Sequence, residues 1–189
     1  MSRSFRAAVA LVLLSAAPLA AQGTVVRPEP ALDAGRASLR DALLRFRDSL
    51  NSIDAAAARL QRDYRQASTA SLISRARVMQ EACDRSLRNL PPARKAVVGA
   101  DASEGQRLRR QREMLTAMEQ LGKALTRCRS EFGAMSQPGE GEQVRGYGND
   151  RATRVQAALR RYEVALATFF SAMGIKVAPL GAPVRPLAG

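Results

Sequence analysis

The feature that most constrains this chain is an apolar residue that recurs at every third or fourth position over residues 39–64. The steps of 4, 3, 4, 3, 4, 3 and 4 connect Leu39, Leu43, Phe46, Leu50, Ile53, Ala57, Leu60 and Tyr64. This heptad spacing puts the apolar side chains on one face of an α-helix and leaves the intervening arginines and aspartates on the other. It predicts a first helix over about residues 32–67, with an apolar stripe that must be buried against other helices.

A second stripe predicts a helix over residues 69–90, which Ser68 or Thr69 can cap. Pro91-Pro92 is expected to end it, because a residue that precedes proline disfavours the helical conformation. The stripe consists of Leu72, Ala76, Met79, Cys83, Leu87 and Leu90. No glycine or proline separates the first two helices, so one bent helix is an alternative. The eight-residue step between the two stripes favours a turn.

Two more helices are predicted, over residues 103–135 and 150–173. The glycine-rich segment Gln137–Gly148 is interpreted as a flexible connection, so the fourth helix is expected to begin at the Asn149-Asp150 cap. Gly174 is placed where a helix C-cap glycine belongs. The stripes are Leu108, Leu115, Met118, Leu121, Leu125, Cys128, Phe132 and Met135 in the third helix, and Val155, Leu159, Tyr162, Leu166, Phe169 and Met173 in the fourth.

Four amphipathic helices with this spacing predict an all-α fold, an elongated antiparallel four-helix bundle. The helical domain is expected to occupy residues 22–178. The proline-rich segment 179–189 is expected to be a flexible tail.

The first residues have the pattern of a secretory signal peptide. Arg3 and Arg6 precede the apolar run Ala7–Ala17, and small residues follow, so residues 1–21 are predicted to be removed. Cleavage after Gly23 is the alternative. The protein is therefore expected in the periplasm or outside the cell, without a transmembrane segment after cleavage.

The chain contains no histidine and no tryptophan. Without histidine it lacks the commonest metal ligand and acid–base catalyst, which excludes Ser-His-Asp and Cys-His sites. The carboxylates are scattered singly, and no pair of them stands out as catalytic. No catalytic residue, metal ligand or cofactor is predicted, and the protein is not expected to be an enzyme.

The chain is strongly basic, with a net charge of +13 that would fall to +11 after loss of residues 1–21. Such a charge implies attraction to polyanions or anionic surfaces. The densest cluster supplies the candidate polyanion contacts, which are Arg107, Arg109, Arg110 and Arg112. Export and the lack of interleaved aromatic residues argue against a nucleic-acid partner.

The segment Leu115-Thr116-Ala117-Met118-Glu119-Gln120 resembles the Leu-Thr-x-x-Gln signature of small periplasmic helical chaperones of the Spy/CpxP type. Glu119 stands where that signature has glutamine, and Gln120 comes one residue later. The resemblance covers six residues and implies an exported, helical, basic protein that could act as a chaperone.

The two cysteines, Cys83 and Cys128, both fall on apolar stripes and should face the bundle interior. An oxidising compartment favours a disulfide between them. If the second helix ends at Leu90, the cysteines lie at unequal distances from the helix ends. An extended strap over Pro91–Ala102 is then needed to bring them together.

These observations predict an exported helical-bundle protein with an interaction or structural role and an unknown partner. One alternative is a chaperone of the Spy/CpxP type or a binder of anionic envelope polymers or lipids. A second alternative is an enzyme whose site the sequence does not reveal.

Overall fold

The computed structural model of the chain describes residues 33–62, 64–102 and 105–176. The predicted signal peptide, residues 1–21, and the predicted tail, residues 179–189, lie outside these ranges. The helices of the described part are α1 (Ala34–Gln61), α2 (Thr69–Val98), α3 (Gly105–Met135) and α4 (Gly141–Ala172), and this part contains no strand. The predicted all-α four-helix bundle is confirmed.

Each helix packs against the next one in the chain, and α4 also returns to α1. α2 and α4 touch across the bundle, whereas the described residues of α1 and α3 do not approach one another. The cross-section is therefore a rhombus with α2 and α4 on its short diagonal. α2 and α4 are therefore the helices that contact all three others.

The stripe of α1 forms one wall of the core, as its spacing predicts. Its members within α1 are all buried, and Tyr64, which follows the helix, is partly buried. Phe46 meets Tyr162 of α4 edge to face, with ring centroids 5.5 Å apart, an arrangement that aromatic rings favour. At the level of the predicted core residue Leu115 in α3, the neighbouring Met114 is fully buried, and Leu115 is only partly buried.

The chain turns between α1 and α2 without glycine or proline, so the alternative of one continuous helix is excluded. α1 ends at Gln61, six residues before its predicted end, and Ser68 caps α2 by accepting the N–H of Ser71 at 3.3 Å. Two arginines from neighbouring helices hold the turn. They supply donors to carbonyls that have no helical partner.

Arg145 of α4 is the more central of these two arginines. It donates to the carbonyls of Tyr64, Arg65 and Ala67 at 3.3, 2.6 and 2.9 Å. Arg75 of α2 donates to two carbonyls at the end of α1, at 3.1 and 2.6 Å. Part of the arginine content is therefore used to satisfy backbone acceptors.

The prediction that Pro91-Pro92 ends the second helix is wrong, because α2 continues through both prolines to Val98. Proline has no N–H, so the carbonyls four residues earlier lose their helical donors. Both prolines lie on the exposed side of α2, whereas Ala93 and Val97 beyond them are 1% and 0% exposed. Burial of these two side chains in the core stabilises the helix beyond the prolines.

Cys83 and Cys128 lie at disulfide distance, with Cα atoms 6.2 Å apart, which confirms their predicted pairing. The extended strap over Pro91–Ala102 is absent, because its first eight residues belong to α2. With α2 ending at Val98 and α3 starting at Gly105, the cysteines differ by eight residues in their distance from these helix ends. That is about 12 Å at the helical rise, which a short connection can span.

α4 begins at Gly141 rather than at the predicted Asn149-Asp150 cap. Most of the segment interpreted as flexible is thus helical, and Val144 within it is buried in the core. Gly141 lies against the start of α2, where an added Cβ would stand 1.8 Å from Cγ2 of Thr69. Glycine is needed here so that the two helix ends can touch.

The C-terminal end of α4 agrees with the sequence prediction. Gly174 has φ of 68°, and the N–H of Ile175 donates to the carbonyl of Phe170 at 2.9 Å. This is the pattern of a glycine-terminated helix. It folds Met173 and Ile175 back onto the core, where they are 2% and 3% exposed.

Replacing both cysteines with alanine is expected to lower the free energy of unfolding by about 4 kcal/mol. The pair closes a loop with a sequence separation of 45, and chain entropy gives about this value for such a loop. Urea unfolding followed by circular dichroism, with and without dithiothreitol, measures the effect. Reductant should destabilise the native protein and leave the double-alanine variant unchanged. Equal stability of the native protein in both conditions would contradict the crosslink.

Arg145→Met is expected to lower the free energy of unfolding by about 1–3 kcal/mol, because three turn carbonyls lose a charged donor. Arg154→Met is the matched control on the same helix. Its guanidinium pairs with Asp150 at the surface, so the change should stay within about 0.5 kcal/mol. If urea titrations give the same loss for both variants, the turn does not depend on Arg145.

Candidate anion-binding cleft

A cleft of about 770 Å³ opens at the end of the bundle where α1 begins and α2 ends. α1 and the C-terminal part of α2 supply most of its walls, and α3 and the residue after α4 supply one side chain each. The lining residues are Asp33, Gly35, Arg36, Ser38, Leu39, Ala42, Arg45, Pro92, Lys95, Ala96, Gly99, Ala100, Asp101, Arg107 and Met173.

Small residues at the facing positions of α1 and α2 leave this space open. They are Gly35, Ser38 and Ala42 on one side, and Ala96, Gly99 and Ala100 on the other. Beneath them lie Leu39 and Met173, which are 4% and 2% exposed and belong to the core. The cleft therefore has an apolar floor that continues into the bundle interior.

The rim of the cleft is cationic. Arg36 is paired with Asp33, with Nε 3.3 Å from Oδ2. Arg45, Lys95 and Arg107 are exposed, and none of the three forms an ion pair with another residue of the described ranges. Asp101 is the remaining carboxylate of the lining, so three uncompensated cations face one uncompensated anion.

The end of α2 is arranged so that its carbonyls are occupied. Gln111 of α3 donates from Nε2 to the carbonyls of Val97 at 2.7 Å and of Ala100 at 3.2 Å. The N–H of Gly99 closes the last turn by donating to the carbonyl of Lys95 at 3.0 Å. These bonds hold in place the wall of the cleft that carries Lys95. They also satisfy the backbone carbonyls at the end of α2, which are then not available to other donors.

The four predicted polyanion contacts have different positions in the structure. Arg107 lines the cleft. Arg109 and Arg110 bind the two carboxylate oxygens of Glu113 at 3.0 and 2.6 Å. The hydrogen bonds from Arg110 and then Arg109 lower the pKa of Glu113 and keep it charged. Arg112 is exposed and forms no ion pair within the described residues.

The partners of Arg107 in the cleft could not be found from local sequence. Arg45 precedes it by more than sixty residues and belongs to a stretch of alternating charges. Lys95 follows Pro91-Pro92, where the second helix was expected to have ended. Only the continuation of α2 to Val98 places Lys95 on a helix beside α1.

A second group of charged side chains lies between α1 and α4. Arg47 Nε and Glu163 Oε2 are 4.0 Å apart, and the two side chains are 13% and 21% exposed. Burial raises the pKa of Glu163, while Arg47 opposes the shift and Asp54 adds to it. The Tyr162 hydroxyl is buried beside them without a hydrogen-bond partner in the described structure, and burial strongly raises its pKa. Close packing around these groups indicates an interhelical contact rather than a ligand site.

A groove between α2 and α3 is mostly polar, but its charges are balanced. Asp84 lies in it between Arg88 and Arg129, and the Arg129 contact is 3.5 Å. Among the residues that the structure describes, no group of three or more potential ligands could hold a metal ion. None of the described helices is long and apolar enough to cross a membrane.

The segment that resembles the chaperone signature forms a regular part of α3. Met118 is buried in the core, and Glu119 pairs with Lys123 at 2.7 Å. The exposed large apolar residues of the described surface are Val78, Val98, Tyr147 and Val164. Within each of α2 and α4 the two exposed residues are at least seventeen positions apart.

Comparison with known proteins identifies no relatives. No family model matches the chain, and no similar curated protein or solved structure is found.

Arg107→Gln is expected to raise the free energy of unfolding by a few tenths of a kcal/mol at low ionic strength. Arg107 has no ion-pair partner in the described structure and lies in the first turn of α3, where the helix dipole disfavours a positive charge. Urea unfolding in low salt, repeated in about 1 M salt, measures the effect, which screening should abolish. A loss of stability in low salt would show that Arg107 is a structural residue.

Proposed function

We propose that this protein is an exported helical-bundle protein that binds anionic envelope polymers or anionic lipid surfaces through the cleft end of the bundle. The observation that carries the proposal is the convergence of three cations without ion-pair partners among the described residues, Arg45, Lys95 and Arg107, on one cleft. They come from three different helices. Because Asp101 is the one unpaired carboxylate that faces these three cations, an excess of positive charge remains in the cleft, and a binding role accounts for it.

The charges elsewhere on the described surface support this choice of face. Arg109 and Arg110 bind Glu113, Arg151 binds Glu131 at 3.0 Å, and Arg129 contacts Asp84. Several arginines outside the cleft are therefore engaged within the protein. Exposed arginines such as Arg112 also lack an ion-pair partner among the described residues, but the cleft brings three such cations together, so an external anion can contact them without displacing an internal partner.

The proposed location outside the cytoplasm rests on two features. The sequence begins with a positive and then apolar segment of the signal-peptide type. Two buried cysteines lie at disulfide distance, and such bonds persist in oxidising compartments. In that setting the accessible polyanions are envelope polymers and lipid headgroups rather than nucleic acids.

Binding to a heparin column tests the proposal, with the double variant Lys95→Gln/Arg107→Gln as the probe. It should elute at clearly lower salt than the native protein, and its affinity for soluble heparin should fall about tenfold. The affinity of each protein should also decrease steeply with ionic strength, because the interaction is electrostatic.

The matched control is Arg127→Gln/Arg161→Gln, which removes the same net charge from exposed positions outside the cleft. It should shift the elution much less than the cleft variant. Equal shifts for the two variants would mean that net charge alone drives binding. No retention of the native protein at low salt would overturn the proposal.

A further inference from the structure

The cleft combines two properties that a site for a purely polar polyanion does not need. Its rim carries Arg45, Lys95 and Arg107, and its floor is formed by Leu39, Met173 and small apolar side chains. More apolar than polar surface lines it, in contrast to the groove between α2 and α3, which is predominantly polar. A ligand that matches both surfaces must itself carry an anionic end and an apolar body.

We infer that the cleft binds a monomeric single-chain anionic amphiphile, of which a medium-chain fatty acid is the simplest example. The anionic headgroup would lie between the cations of the rim, and the acyl chain would cover the apolar floor. The volume of about 770 Å³ is within the usual range for small-molecule sites, about 300–1,000 Å³. The inference deepens the proposed function, on which it rests for the anionic headgroup.

The composition of the lining argues against other anionic ligands of this size. It contains no aromatic side chain on which a nucleotide base or a sugar ring could stack. Apart from its charged side chains, the lining offers one hydroxyl, that of Ser38, and no side-chain amide. An acyl chain needs neither group.

The facing small residues also fit an elongated apolar chain. Ala42 of α1 and Ala96 of α2 are partly buried and lie on opposite walls. Larger side chains at these positions would fill the space and join α1 to α2 by direct packing. The space between the two walls remains open because both positions are alanine.

Isothermal titration calorimetry with three probes tests the inference without any substitution. Decanoate, hexanoate and decanol are each added to the native full-length protein at concentrations at which they remain monomeric. Decanoate should bind at least about tenfold more tightly than hexanoate, since a fully buried methylene contributes up to about fourfold in affinity. Decanol should bind more weakly than decanoate, because it lacks the charge that the rim recognises.

Two variants then test whether decanoate binds in the cleft. Ala42→Phe fills the cleft, and Ser38→Phe blocks it from an exposed position that does not disturb the core. Each should weaken decanoate binding at least about tenfold while its heparin elution remains close to native. Circular dichroism verifies that each variant is folded. If Ala42→Phe does not fold, the decanoate affinity of Ser38→Phe alone tests the position of the site.

The possible outcomes separate this inference from the proposed function. Heparin binding without decanoate binding, equal affinity for decanoate and hexanoate, or native decanoate affinity in folded Ser38→Phe would each overturn the amphiphile site and leave the polyanion proposal intact. Decanoate binding with the expected chain-length and variant effects, but without heparin binding, would support the amphiphile site and refute the polyanion proposal. Loss of both activities in the native protein would refute both.

Discussion

The continuation of α2 through Pro91 and Pro92 is the constraint on which the rest of the structure depends. Two proline rings in a helix interior each remove a backbone donor, a cost of about 3 kcal/mol or more for each. The burial of Ala93 and Val97 against the other helices offsets part of it. Once α2 reaches Val98, Gln111 can bind its terminal carbonyls, and Lys95 and Ala96 form a wall opposite α1. A helix that ended at Leu90 would have neither the wall nor the cleft.

Arginine has two separate roles in this bundle, and composition alone cannot distinguish them. Arg75 and Arg145 donate to backbone carbonyls at the end of α1 and in the turn that follows it, so their guanidinium groups are engaged within the fold. The planar guanidinium, with several donors in a fixed fork, suits this role better than an ammonium group does. The turn between α1 and α2 can therefore be built without glycine or proline.

The heptad spacing was sufficient to predict the fold class and the buried face of α1, because apolar periodicity reports directly on burial. It was also sufficient to place both cysteines in the interior. The boundaries of α2 and α4 were predicted wrongly for a common reason. Pro91-Pro92 and the glycines after Gln137 were interpreted from their local backbone preferences, whereas distant contacts decide their conformation. Position 141 requires glycine because Thr69 leaves no room for a side chain, and Thr69 lies more than seventy residues away in sequence.

The candidate site was predictable only in part for the same reason. A run of arginines pointed to Arg107, but the run also contained Arg109 and Arg110, which Glu113 neutralises. Arg109 and Arg110 precede Glu113 by four and three residues, so helical spacing alone could have distinguished them from Arg107. No local sequence feature marks Arg45 as part of the cleft, because the cleft forms only where the start of α1 meets the end of α2.

The cysteine pair determines how the molecule responds to a pulling force on its two ends. Tension entering through α1 passes along α2 as far as Cys83, crosses to Cys128 and leaves through the end of α3 and α4. The intervening segment, a separation of 45 residues, carries no load, and about 150 Å of contour stays hidden. Lys95 and Arg107 lie within this shielded loop, whereas Arg45 lies on α1, in the load-bearing path. Stretching would thus pull Arg45 away from Lys95 and Arg107, while these two cations stay on the crosslinked pair of helices.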